Sequence, residues 1–365
     1  MSKWVRKNES SYIFSADVIR ALAIIGVIAI HTTNSVFERP DFFGGISWWF
    51  AMTIDSISRI SIPLFIMLSG YFLLKKEEKY KNIFIKVLKR LVLPLFFWTA
   101  VTFVLSDIKH ASDVFSLSFF LRFFAGNVYY FYFLVIIAGL YLVSPLLKSY
   151  LKHNSLKSQR NMAFAFILAG ITQNALEFLG KNCTHENSFT RWVPYTGLFV
   201  MGYLIGTNRL KFKNKKILWG IYIFGLIATL ALNYFYFSKG SITVLRSNYP
   251  SCITHYSDHY LSFNVVMMSV TGFYFLIKSD FNFLKKGLSE KIVYYLSRAS
   301  FGIYLVHLFV VAIWDKWLVW DVDHTSLPLW MYVLVRLFGI LIISFLISIS
   351  IHKIKYLRVL IGEEK

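Results

Sequence analysis

Apolar runs of about twenty residues, the length a helix needs to cross a bilayer, recur along the whole chain. In hydrocarbon each backbone N–H and C=O must find its partner within the protein, so isolated runs of this kind become helices. They fall near 14–34, 48–74, 84–105, 128–147, 160–179, 191–208, 216–237, 260–278, 297–318 and 328–351. The expected fold is an all-α integral membrane protein: one bundle of about ten transmembrane helices, a single domain over 1–365. Only 16% of its residues are charged, against about 25% in soluble domains. No internal repeat and no low-complexity segment interrupts the pattern.

The charge distribution sets an orientation. Starting from a cytoplasmic N-terminus and alternating, and counting the basic stretch to residue 90 and the charges at span ends with the adjoining segments, 28 Lys and Arg fall on the cytoplasmic side and 8 on the external side, leaving Arg20, Arg59 and Arg336 deeper within spans. That asymmetry is the positive-inside rule, and it places both termini in the cytoplasm. The net charge of +20 is thus accounted for by short loops, and no nucleic-acid partner is expected. Lys3, Arg6 and Lys7 resemble the start of a signal peptide, but Asp17 and Arg20 interrupt the apolar stretch and no small-residue cleavage site follows, so the first span is expected to be retained. Cys183 and Cys252 fall in predicted external loops, where a disulfide and two free thiols are both open. No metal-ligand spacing involves either, and no metal is expected.

Ionisable side chains at membrane depth pair or line a polar cavity. The first span carries Asp17, Arg20 and His31. Eleven steps of 100° leave Arg20 and His31 about 20° apart around the helix, with His31 about 16 Å further along. Two readings fit this stripe. It is a polar track through the membrane, or an interfacial Asp17–Arg20 pair plus a histidine bonded to a neighbouring helix. Asp55 and Arg59 stand at i, i+4 and are expected to neutralise each other as a structural pair. Glu177 is expected to reach the external interface, and Arg336 requires a partner from another helix. Gly202 and Gly206 form a GxxxG close-packing signal. His307 lies one turn after Tyr304 on one helix face, a packing position by its own pattern. Fingerprints of a P-loop, HExxH, GxSxG or dinucleotide fold are absent from the sequence.

The run Asp17-Val-Ile-Arg20-Ala-Leu-Ala23-Ile-Ile-Gly-Val27-Ile-Ala-Ile-His31 resembles the opening of the acyltransferase-3 family of membrane O-acyltransferases, in which an Arg, ten residues and a His begin the first helix. Four further stretches resemble the family in order: Ser58-Arg59-Ile-Ser61-Ile-Pro63 through Ser69-Gly70-Tyr71, Lys86-Val-Leu-Lys89-Arg90 ending at Pro94, Tyr129 through Pro145, and Ser297 through His307. The likeness is nearest to the short, membrane-only branch that acetylates bacterial surface polysaccharides. It implies a multi-pass protein of the bacterial cytoplasmic membrane. The reaction implied is transfer of an acetyl or similar group from cytoplasmic acetyl-CoA to a hydroxyl of a surface glycan or lipid-linked sugar, with membrane lipids as further partners. Under it, His31 is the general base, with Arg20 and Asp17 beside it as catalytic residues. Lys86, Lys89 and Arg90 would bind the nucleotide diphosphate, and Ser69, Tyr304 and His307 are candidate substrate-side positions. Lysine stands at 86 and 89 where many relatives carry arginine, which keeps the charge and gives up bidentate contacts. The competing reading is a transporter of a small polar solute or lipid-linked sugar, for which inverted repeats are a frequent sign.

Overall fold

The computed structural model describes residues 13–106, 117, 131–180, 187–239, 256–317 and 325–362. Cys183 and Cys252 lie outside these residues. Among the described residues every regular element is helical. Along the chain they are α1 (Phe14–Phe37), α2 (Ile46–Ser58), α3 (Ser61–Lys75), α4 (Tyr80–Val87), a π-helical turn (Leu88–Val92) and α5 (Leu93–Ser106). There follow α6 (Tyr132–His153), α7 (Leu156–Gly180), α8 (Thr196–Gly206), α9 (Lys215–Phe237), α10 (Phe263–Lys278), α11 (Gly287–Trp317) and α12 (Leu329–Lys353).

Helix occurs at each of the predicted positions, and among the described residues eight segments are long and apolar enough to cross a membrane. The two outside that set are the interrupted run α4–α5 and the short segment Val193–Gly206. Where the sequence reads one span over 48–74, the structure has two helices parted at Arg59–Ile60. The cause is Pro63, which lacks an N–H and crowds the carbonyl four residues back, that of Arg59. Pro94 acts on Arg90 in the same way. There the chain widens into the π turn, in which the Leu93 N–H bonds the Leu88 carbonyl, and such turns are frequent at functional sites. At Pro145 the helix continues, because the Ser144 hydroxyl donates to the Tyr141 carbonyl that the proline leaves without a donor, at 2.7 Å.

α1 is the hub, with 78% of its most apolar window buried among α2, α3, α10, α11 and α12. α7, α9 and α12 lie at the outside and carry exposed Leu168, Leu176, Trp219, Phe224, Phe338 and Ile342, the apolar belt that lipid requires. Lipid tails are as apolar as a core, so tight contact must hold helices together. α3 and α8 supply the closest pairing: a Cβ at Gly70 would strike the Phe199 carbonyl, and one at Gly202 the Met67 carbonyl. The GxxxG signal therefore marks a true helix junction.

Segments predicted to be cytoplasmic meet at one end of the bundle. Lys152 lies 3.7 Å from Glu77, Arg209 donates to Gln159, Lys278 donates to the Ile205 carbonyl, and Trp98 donates to the Leu360 carbonyl. This basic end holds the first half of the candidate site.

Candidate functional site

At the basic end, α1, α3, the π turn, α6, α11 and the end of α12 enclose a cavity of about 570 Å³. Three guanidinium side chains line it, from Arg20, Arg90 and Arg298, together with His352 and Tyr141; Asp17 is the one acidic residue among the described lining residues. Such a cavity is suited to an anion, and planar guanidinium forks suit phosphate oxygens best.

Asp17 is buried, and its Oδ1 accepts from Arg20 Nη1 at 2.8 Å and from Ser297 Oγ at 2.6 Å. The carboxylate therefore clamps α1 to α11 and steers the Arg20 guanidinium, which lies 5.1 Å over the Phe72 ring. Arg20 keeps 32% of its side chain accessible, on the cavity side. Arg298, one residue after Ser297, arrives with the same clamp. The motif Ser297-Arg298 does not by itself reveal this role, because Arg298 and Arg20 stand on different helices 278 positions apart and meet only at the cavity.

The basic stretch divides. Arg90 lines the cavity. Lys86 is engaged by Glu78, whose carboxyl it holds below the usual carboxylate range. Lys89 is exposed and is not among the lining residues. On a regular α-helix residues 86, 89 and 90 would share a face; here Arg90 stands in the π turn and on the cavity wall, and the other two do not line it. Ser69 lies beside the cavity residue Tyr141 and is not itself among the lining residues.

Three turns further along α1, His31 faces His307 of α11, with ring centroids 5.3 Å apart and planes inclined by 49°. His307 is 1% exposed, and its Nδ1 sits 2.6 Å from the Tyr304 carbonyl oxygen. The Tyr304 ring packs 5.7 Å from His307 and 5.4 Å from Phe133. Arg59 and Arg336 reach His31 electrostatically. Of the residues singled out in the sequence, His31, Tyr304 and His307 thus gather at one level, and Asp17, Arg20 and Arg90 at the other.

The remaining buried charges are held in groups. Arg59 donates to both Asp55 oxygens, at 2.7 and 3.0 Å, and also meets Asp258 at 3.3 Å. Asn233 donates to Asp258 at 2.7 Å. The expected pair is therefore a cluster, which ties the α2–α3 break to the segment before α10. Arg336 finds its partner on another helix, donating to both Asp315 oxygens at 2.7 and 2.9 Å. Glu177, one turn from the end of α7, is 7% exposed and accepts from Gln173 at 3.1 Å.

A family model for an acyltransferase domain matches residues 13–349. The chain belongs to the acyltransferase-3 family. No curated protein and no solved structure matches it. The acyltransferase-3 match covers all of the site residues from Asp17 to His307. Together with eight apolar helices of spanning length, it supports acyltransferase activity in a multi-pass membrane protein.

Proposed function

We propose that this acyltransferase-3 protein moves an acetyl or similar acyl group from cytoplasmic acyl-CoA to a hydroxyl of a cell-surface glycan or its lipid-linked precursor. The observation that carries the proposal is the layout of α1. Arg20 opens into a cationic cavity at the basic end, and His31 stands about 16 Å along the same helix face, among buried rings. The basic end faces the cytoplasm, the chain crosses the bacterial cytoplasmic membrane ten times, and both termini are inside.

In this reading Arg20, Arg90 and Arg298 hold the anionic part of acyl-CoA, and the pantetheine arm runs along α1 toward His31. His31 takes the proton of the acceptor hydroxyl as its oxygen forms a bond to the thioester carbonyl carbon. The C–S bond then breaks, and the CoA thiolate leaves with the proton carried by the imidazole. Burial around His31 keeps bulk water from competing for the acyl group.

The test is mass spectrometry of surface glycans from cells with and without the intact protein, combined with CoA release from acetyl-CoA by the purified protein. An acyl group that appears on the glycan only with the intact protein supports the reading. Unchanged glycans together with no CoA release overturn it.

A further inference from the structure

His307 has one nitrogen committed and one without a hydrogen-bond partner among the described residues. Its Nδ1 faces the Tyr304 carbonyl at 2.6 Å. A carbonyl oxygen can only accept, so Nδ1 carries a hydrogen. In the neutral ring Nε2 is then a lone-pair acceptor, and it is buried with no hydrogen-bond partner among the described residues. A buried polar atom left in this state is costly and calls for a reason. The ring facing it is His31, at a centroid distance of 5.3 Å. Two imidazoles joined by one N–H···N bond of ordinary length have centroids about 5 Å apart. A small rotation of either ring therefore closes the bond.

We propose that His307 is the positioning residue of the proposed general base: its Nε2 accepts a hydrogen bond from the N–H of His31. This rests on the acyl-transfer reading above. The bond selects the His31 tautomer whose lone pair points to the acceptor hydroxyl, and it stabilises the imidazolium formed when His31 takes the proton. The charges that face His31 from the other packed elements, Arg59 at the α2–α3 break and Arg336 on α12, are each tied to a carboxylate. Neither has a lone pair to offer, so among these groups only His307 can accept from it.

The test uses the full-length protein with two substitutions. His307→Phe fills the volume without an acceptor, whereas His307→Gln offers an oxygen near the position of Nε2. Turnover is read as transfer from radiolabelled acetyl-CoA into the glycan of the cell's own membranes. Tautomers are read by solid-state ¹⁵N spectra of histidine-labelled protein in lipid nanodiscs. His307→Phe should lower kcat about 10- to 100-fold with the KM for acetyl-CoA unchanged. It should also move the acidic limb of the pH profile to lower pH and leave His31 in mixed tautomers. His307→Gln should recover most of the rate and a single tautomer. Equal losses in both variants with an unaltered His31 spectrum, or a wild-type rate in His307→Phe, overturn the proposal. Failure of the wild-type protein to transfer acetyl would instead remove the acyl-transfer reading, while the spectra still decide whether the two rings are bonded.

Discussion

Ser297 donates to the same Asp17 oxygen that holds the Arg20 guanidinium. Asp17 and Ser297, 280 positions apart, are thereby joined, and the orientation of Arg20 depends on a helix far along the chain. Removing Asp17 or Ser297 should therefore act on the cationic cavity through Arg20.

The first prediction separates the two levels of α1. His31→Ala should lower acyl transfer about 100- to 10,000-fold, the usual contribution of positioned acid–base catalysis, while acetyl-CoA still binds. Arg20→Ala should weaken acetyl-CoA binding and destabilise the protein, since Asp17 loses its partner in a low-dielectric site. Calorimetric titration with acetyl-CoA beside a transfer assay distinguishes them, and near wild-type transfer by His31→Ala returns that residue to a packing role.

The second prediction concerns the cavity. Arg90→Glu and Arg298→Glu should each weaken acetyl-CoA binding at least tenfold, because each places a carboxylate among the guanidinium groups proposed to hold its phosphates. Lys89→Glu should change it by less than about threefold, since the exposed side chain lies off the cavity wall and is screened by water. Equal effects at Lys89 and Arg90 would mean that the donor docks on the outer face of the basic stretch.

A third concerns the Asp55–Arg59–Asp258 cluster. Asp55→Ala leaves a buried guanidinium short of its bidentate partner and should cost about 3–5 kcal/mol, seen as a large drop in the unfolding temperature in detergent. Asp258→Asn keeps a polar side chain beside Asn233 and should cost less. A Tm in Asp55→Ala equal to wild type would show that the cluster contributes nothing to stability.

The fourth tests sidedness. In intact cells, a membrane-impermeant thiol reagent should label cysteine placed at Pro40 or Ser112 and spare cysteine at Glu78 or Lys213. Labelling at 78 from outside would invert the proposed orientation.

The sequence by itself determined the helices, the basic end and the stripe on α1. Lipid offers the backbone no partners, so each apolar run must satisfy its own hydrogen bonds. The positions of helices are therefore written locally, and Arg20 and His31 share a face because 3.6-residue periodicity relates them within one helix. Tertiary structure decided which helices are neighbours. Arg298 joining Arg20, His307 facing His31, Asp258 completing the Arg59 cluster and Asp315 meeting Arg336 all bring together residues of different helices, and local periodicity carries no record of such pairings. It also decided that Glu177 is buried, and that Arg90 parts from Lys86 and Lys89. In that last case the reason is that residues of α1, α6 and α11 form the cavity beside Arg90, while Glu78 engages Lys86.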